Sequence, residues 1–341
     1  MPRIADAVLA EIRARLQLAE VVGRHTRLRR SGRTQCGRCP LHQGRSENFH
    51  VYPDGHFYCF GCQQHGDVIR FVMLAESCDF PTAAARCAQD AGVALAGDAG
   101  GPRPAPRPMP DPGVEAEKDA LDAARRRERA RTWWTQAAEI APGDPVALYL
   151  ASRHLWPLTV AERAVLRLAH LEHPNTGAAL HPVMLARVDD ARGQGCAVWR
   201  TYLAPVAGGG FGKLGGTADG AKLGYAPMPP GSAVRLVPIA PVLGVGEGIE
   251  TTLSANRLTG TPCWSVLSTT GMKRFIAPDG VARLTVFADR DPARKDQPEG
   301  PGIDAALKLA ASAGVPVEIR RPLPPAGDYA DVWLMRRGVA A

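Results

Sequence analysis

The sequence predicts a multidomain α+β chain: a zinc ribbon at the N-terminus, an α+β middle segment, and a C-terminal α/β domain with a parallel-rich sheet. Three observations predict it. Two ligand pairs, Cys39-Pro40-Leu41-His42 and Cys59-Phe60-Gly61-Cys62, flank a short stretch with a turn at its centre. A Pro/Gly run at 97–108 then breaks the composition. Beyond residue 241, short apolar strand patterns alternate with helical ones, as in sheets whose strands run parallel.

Residues 1–96 read as the ribbon with flanking helices. Phe49, Val51 and Phe57 are apolar positions around Pro53-Asp54-Gly55, whose glycine suits a turn, so a β-hairpin carries one ligand pair on each side. A borderline-soft ion takes thiolate and imidazole ligands tetrahedrally, and each tight pair supplies two at once. Spacing alone leaves the ligand set open. Cys36 stands three before Cys39 and His65 follows Cys62, so Cys36, Cys39, Cys59 and Cys62, or a set that recruits His65, also satisfy it. Helices are expected over Val68, Ile69, Phe71, Val72 and Leu74, and over 81–91 with a stop at Gly92.

Residues 97–113 form a linker without core-forming residues, which frees the ribbon to move relative to the rest of the chain. The segment 114–240 opens with a charged helix over 114–140. Its Arg125-Arg126-Arg127 run and Trp133-Trp134 either touch nucleic acid or belong to a solvated helix whose tryptophans dock on a neighbour. Stretches 183–188 and 197–203 read as a hairpin around Asp190-Ala191-Arg192-Gly193. The run 208–213 is glycine-rich but lacks the spacing of a phosphate-binding loop before a helix, so it reads as a loop presenting Lys213. Lys213 and nearby Lys222 are candidate contacts for phosphate or template, with a plain loop as the alternative.

In 241–341, strands are expected at 241–246, 262–267, 284–287 and 315–319, and helices at 249–258 and 303–313. Ligand sites in such sheets lie outside the carboxyl ends of the strands. Glu247 and the Asp289/Asp291 pair fall there. Asp289 and Asp291, two apart, can face one point, and hard oxygen ligands of this kind suit Mg²⁺ or Mn²⁺ beside substrate phosphates. Asp328 and Asp331 follow the fourth strand.

The bulk properties set the class. At 341 residues the chain holds two or three domains. Its 45% hydrophobic and 22% charged content is that of an ordinary globular protein, and a net charge of +7 is compatible with a nucleic-acid partner. Eight cysteines in a chain this long do not make a disulfide scaffold; Cys78, Cys87, Cys196 and Cys263 stand apart from the ribbon and read as small buried apolar groups. The first residues lack a secretory apolar region, and no apolar run approaches the ~20 residues a bilayer needs. The expectation is a cytoplasmic protein with no membrane partner.

Cys39-Pro40-Leu41-His42, Cys59-Phe60-Gly61-Cys62 and Gly66-Asp67-Val68-Ile69-Arg70-Phe71 resemble the zinc ribbon of bacterial and mobile-element DNA primases. The resemblance begins upstream, with Glu11-Ile12-Arg13 and Leu28-Arg29-Arg30-Ser31-Gly32-Arg33, and runs to about Ala94. It implies one structural Zn²⁺ on Cys39, His42, Cys59 and Cys62, with Cys36 outside. Glu247-Gly248-Ile249-Glu250-Thr251, Asp289-Arg290-Asp291 and Gly327-Asp328-Tyr329-Ala330-Asp331 resemble the Toprim domain of primases and topoisomerases, which makes 241–341 the catalytic domain. One departure stands out: residues 292–301 intervene before Gly302, where a glycine usually follows the aspartates sooner, so an enlarged loop is expected near the metal site.

Together the resemblances imply a DNA primase, a nucleotidyltransferase making short RNA primers from NTPs on single-stranded DNA. Asp289 and Asp291, helped by Asp331, would hold catalytic Mg²⁺ or Mn²⁺, and Glu247 would take a second metal or move a proton. Glu250 reads as a helix residue, and Asp328 as a weaker ligand than Asp331. In the ribbon, Arg27, Arg29, Arg30, Arg33 and Arg38 would meet template phosphates. Tyr52, Phe57 or Tyr58 would stack on bases, or else form the ribbon's small core. A replicative helicase is left open as a partner. Two other classes stay in view: a Toprim-type nuclease or topoisomerase-like enzyme, for whose tyrosine-bearing domain the chain leaves little room, and a non-catalytic single-stranded-DNA-binding replication accessory protein.

Overall fold

The computed structural model describes residues 4–31, 34–42, 47–60, 62–94, 112–174, 177–215, 219–293 and 297–338. The chain divides into two compact units, Met1–Ala116 and Glu117–Ala341. Residues 97–111, most of the expected linker, lie outside the described residues, as does Arg33.

The first unit starts with helices α1 (Asp6–Arg15) and α2 (Leu18–Gly23). Five short strands come next: β1 (Leu28–Ser31), β2 (Thr34–Gly37), β3 (Phe49–Val51), β4 (Phe57–Cys59) and β5 (His65–Gly66). They form one antiparallel sheet in sequence order. Helices α3 (Val68–Ala75) and α4 (Phe80–Ala91) complete the unit. Strand alternation sorts its side chains: Phe49, Val51, Phe57 and Cys59 are buried while His50 and Tyr58 are half-buried. Phe49 stacks on Phe57 at 5.1 Å, and Phe71 of α3 meets both rings edge-on. Phe57 is therefore core, and of the three aromatics considered for stacking on bases only Tyr52 and Tyr58 remain. Asp67 and Asp79 cap α3 and α4 by accepting from the Arg70 and Thr82 N–H groups. Gly92 ends α4 at φ +67°, a left-handed conformation that glycine adopts without a Cβ penalty.

Helix α5 (Pro112–Gln136) spans the boundary, and the second unit continues with α6 (Pro145–Ser152) and α7 (Val160–Arg163). Strands β6 (Leu166–His173), β7 (Gly177–Asp189), β8 (Gly195–Pro205), β9 (Phe211–Lys213) and β10 (Lys222–Tyr225) come after them. They make an antiparallel sheet in the order β10-β8-β7-β6, with β9 also on β8. The expected hairpin is β7/β8. Strand β6 escaped the sequence pattern because its burial does not alternate cleanly. The tryptophans of α5 dock on a neighbour: Trp133 lies 4.4 Å from the Tyr225 ring, and the Arg167 guanidinium sits 4.6 Å from the Trp134 ring.

The expected loop presenting Lys213 is instead a strand. Gly208, Gly209 and Gly210 all have φ near +90°. They turn the chain back so that Lys213 pairs opposite Leu203 of β8. Glycine content marked the turn, and the residues after it are regular β structure.

The last part runs β11 (Val242–Gly246), α8 (Ile249–Thr259), β12 (Cys263–Ser265), α9 (Thr269–Lys273), β13 (Arg283–Phe287), α10 (Pro301–Ser312), β14 (Val317–Arg320) and α11 (Tyr329–Met335). Its four strands are all parallel, in the order β12-β11-β13-β14. From β11 the chain goes first to one side and then to the other, so the order reverses beside β11, where such sheets bind ligands. The antiparallel sheet shares a core with helix α8: Val146 and Leu150 of α6, Met184 and Val188 of β7, and Ile249 and Leu253 of α8 belong to one buried cluster. Arg257 of α8 also makes a two-pronged pair with Glu162 at 2.6 and 2.7 Å, with Glu162 only 1% exposed. Among the described residues no helix is long and apolar enough to cross a membrane.

Candidate metal centres and active site

In the first unit, Cys39 and His42 lie beyond β2 while Cys59 ends β4 and Cys62 lies just past it. The donor atoms of all four lie within 4.8 Å of one another. Cys39 Sγ is 3.9 Å from Cys62 Sγ, and Cys59 Sγ is 3.8 Å from His42 Nδ1. A tetrahedral zinc with Zn–S of about 2.3 Å and Zn–N of about 2.0 Å sets edges of about 3.8 and about 3.5 Å. The four donors thus already stand at the corners of a zinc site. Burial pushes the Cys39 thiol up to about 12, so a thiolate there needs a cation beside it. Cys36 pairs in β2 with Arg29 and His50 and stays outside the group. His65 is exposed, with Nδ1 3.2 Å from the Gln63 carbonyl oxygen. Of the sets that spacing allows, the geometry gathers Cys39, His42, Cys59 and Cys62.

The ribbon also carries rings on its outside. Tyr52 stacks on His56 at 4.4 Å, Tyr58 meets Phe60 at 4.7 Å, and Phe60 is 60% exposed. Arg29 is ion-paired with Glu47, and Arg30 lines a cavity of about 390 Å³ with Tyr52 and Gln17.

In the second unit, sheet register builds the acidic site. Gly246 pairs with Phe287, so Glu247 and Asp289 leave the adjacent strands β11 and β13 side by side at their carboxyl ends. Both are held above the usual carboxylate range. For Asp289 the causes are burial first, then the charges of Asp328, Glu247 and Asp291; for Glu247 they are burial and then Asp291. Asp289 Oδ1 is buried with no hydrogen-bond partner among the described residues. Asp291 Oδ2 accepts from the Gly302 N–H at 3.0 Å. The enlarged loop therefore returns the start of α10 to the acidic group. Gly302 is required there, since a Cβ would press on the Asp289 carbonyl oxygen and on Asp291. Among the described residues these carboxylates do not draw three donors within 4.8 Å, as the ribbon does. A cation that keeps several of its waters asks for no closer approach.

Asp331 and Asp328 have different neighbours at the start of α11. Asp331 Oδ2 accepts from the Gly327 and Asp328 N–H groups at 2.8 and 3.4 Å, closing a capping box at the start of α11. Asp328 gives one oxygen to that cap and accepts from Thr251 Oγ1 at 2.9 Å with the other, and its charge bears on Asp289. Asp331 supports the site through the backbone, and Asp328 borders it.

Lys213 and Lys222 reach the same place. They stand opposite Leu203 and Thr201, two residues apart on one edge of β8, so both side chains share a face. Their common partner is Glu250 in the first turn of α8, 4% exposed, whose Oε1 lies 3.2 Å from Lys213 Nζ and accepts from Tyr149 Oη at 2.6 Å. Burial opposes ionisation of Glu250, yet the two ammonium groups and the tyrosine hold it far below the usual carboxylate range. Burial lowers Lys213, while Glu250 raises Lys222, which also feels Asp289 and Asp328. Glu250 and Tyr149 were missed as site residues. The available signal was position: Glu250 sits between Ile249 and Leu253, both core residues, on a short helix.

Family models match three stretches. Residues 4–100 match the CHC2 zinc finger, and residues 242–338 match the Toprim domain. The chain carries a CHC2 zinc ribbon and a Toprim domain. Between them, residues 124–236 match a domain of unknown function. A DNA primase from Treponema pallidum (strain Nichols) is 44% identical over 96 residues, 28% of this chain and 16% of that protein. A DNA primase from Mycobacterium bovis is 33% identical over 153 residues, 44% of this chain and 22% of that protein. The matched stretch is thus less than a quarter of either relative's length. The zinc-binding and RNA polymerase domains of the Aquifex aeolicus primase align over 97% of this chain and 82% of that one, at 17% identity and a TM-score of 0.34. The primase fragment of the bacteriophage T7 primase-helicase protein aligns over 86% and 91%, at 13% identity and 0.37. Scores this low add no weight to the domain matches.

Proposed function

We propose that the chain is a DNA primase that joins NTPs into short RNA primers on single-stranded DNA. The single observation that carries the reading is the Toprim acidic group, Glu247, Asp289 and Asp291, at the carboxyl edge of the parallel sheet with two half-buried lysines beside it. The segments divide the work: 1–96 senses the template, 97–113 tethers it, and 114–240 and 241–341 together form the catalytic body. Ribbon cysteines that serve a metal rather than disulfides fit a reducing cytoplasm.

The donor set suits a hard divalent cation, Mg²⁺ or Mn²⁺, since Asp289 Oδ1 is buried without a partner among the described residues and the carboxylates raise one another. Bound there, it would activate the primer 3′-hydroxyl and neutralise charge on the triphosphate. Asp289 and Asp291 would hold it, with the Gly302 N–H fixing the Asp291 carboxylate. Glu247, with its affinity for a proton raised, is suited to take the proton of the attacking hydroxyl or to complete a second cation site. Lys213 and Lys222 would supply positive charge for phosphate oxygens. On the ribbon, Cys39, His42, Cys59 and Cys62 would hold Zn²⁺, which staples β2 to the β3/β4 hairpin. Tyr58 and Phe60 offer ring faces on which unpaired template bases can stack.

The test is to incubate the purified chain with single-stranded template, Mg²⁺ and labelled NTPs. Template-dependent oligoribonucleotides that vanish in Asp289→Ala support the reading. DNA cleavage without NTPs would establish the nuclease class instead, and template binding with neither product would establish the accessory role.

A further inference from the structure

The use of Lys213 and Lys222 as phosphate contacts leaves one arrangement unexplained. Two adjoining, half-buried ammonium groups stand beside a cluster of carboxylates, yet among the described residues neither is drawn into an ion pair with that cluster. Lys222 lowers the tendency of Lys213 to stay charged, and burial adds to the cost for both. Glu250 answers both difficulties. It arrives from α8, and among the described residues it is the only carboxylate of the group to make an ion pair with either of them. Tyr149 of α6 donates to the same oxygen that faces Lys213, which fixes the rotamer.

We propose that Glu250 is a positioning residue: held by Tyr149, its carboxylate keeps Lys213 and Lys222 side by side and off Asp289 and Asp328, so that the lysines meet the phosphate oxygens of a nucleoside triphosphate and the aspartates stay open to a cation. The inference rests on the proposed primer synthesis for the identity of that substrate. Without Glu250, the carboxylates left to act on Lys222 are those of the acidic group, Asp289, Asp328 and Glu247. The lysines would then compete with the cation for its own ligands, and the triphosphate would lose its contacts. Thr251, next in α8, donates to Asp328 Oδ2 and adds a second restraint on that boundary.

The experiment uses the full chain with zinc bound and compares wild type with Glu250→Gln, an isostere that can still accept from Tyr149. Three quantities are read: KM for NTP, the Mg²⁺ concentration for half-maximal rate, and calorimetric binding of inorganic triphosphate without template. Glu250→Gln should raise KM and the Mg²⁺ requirement by about tenfold or more, leave kcat within about threefold, and weaken triphosphate binding by a similar factor. Adding Lys213→Met to Glu250→Gln should cost little more, because the two act as one unit. Unchanged triphosphate binding, a fall in kcat with KM unmoved, or simple additivity of the pair would overturn the proposal. If Glu250→Gln does not fold, Tyr149→Phe removes only the hydroxyl and should raise KM in the same direction; an unchanged KM there overturns it too. If wild type makes no primers, the proposed function fails by itself, while triphosphate binding still decides the role of Glu250.

Discussion

The two candidate metal centres of this chain are built in opposite ways. In the ribbon, four donors from one short stretch already stand within 4.8 Å of each other, and the thiols and imidazole need only an ion among them. At the end of the parallel sheet, carboxylates arrive from β11, from β13 and from the start of α11, remain farther apart, and push one another toward the protonated form. The first arrangement closes around its metal and holds a fold together. The second keeps charge unsatisfied and open, as chemistry on a polyphosphate requires. A structural site and a reactive site thus differ less in residue count than in whether the protein has satisfied its own donors.

Removing the ribbon's metal should give the largest effect. Cys59→Ala, or a strong chelator, should abolish zinc binding and unfold the strands of the first unit, seen as lost zinc stoichiometry and rapid proteolysis within 1–96. Retained folding without zinc would break the contrast. At the acidic site, Asp289→Asn should lower primer synthesis by about 10³-fold yet make the metal-free chain more stable by about 1 kcal/mol in a denaturant titration. The sign comes from the raised folded value of Asp289. The native state binds that proton more tightly than the unfolded chain does. Its contribution is complete below the ordinary carboxylate range and is lost as pH rises through the folded value. Metal-free wild type should therefore lose stability between acid and neutral pH more steeply than Asp289→Asn, and added Mg²⁺ should stabilise wild type more as pH rises. A flat difference between the two proteins would show that the carboxylates are not in opposition.

A smaller effect belongs to the ribbon's exposed rings. Phe60→Ala should weaken single-stranded DNA binding by about 1–3 kcal/mol with zinc content unchanged, measured by fluorescence anisotropy at fixed salt. Equal affinity would remove Phe60 from the template surface. Smallest of all, Cys36→Ala should leave one zinc per chain, whereas His42→Ala should not. The opposite pair of results would reassign the fourth ligand.

Much of both centres was legible before any fold was known, but for different reasons. The ribbon ligands were readable because a knuckle is local: two donors separated by two residues, with Phe49 and Phe57 marking the hairpin between the pairs. Glu247, Asp289 and Asp291 were readable because strand ends in an alternating α/β pattern are where ligands bind. Lys213 was singled out for its charge but assigned to a loop, since the glycines of 208–210 announced a turn and hid the strand behind it. The motif does not say which of Asp328 and Asp331 caps a helix, and both do.

By itself the sequence determined the zinc ligand spacing, the hairpin, the parallel alternation and the positions of the acidic trio, because each depends on neighbours a few residues away or on the period of one element. Only the tertiary structure decided that Asp331 turns to the backbone while Asp328 faces Asp289. It also decided that Tyr149, Lys213, Lys222 and Glu250 meet in one buried network. That network joins residues up to 101 positions apart, through the register of β9 and β10 on β8 and the packing of α6 against α8 over a shared core. A buried charge is tolerable only where its partners converge, and convergence of that kind is a property of packing that no local pattern encodes.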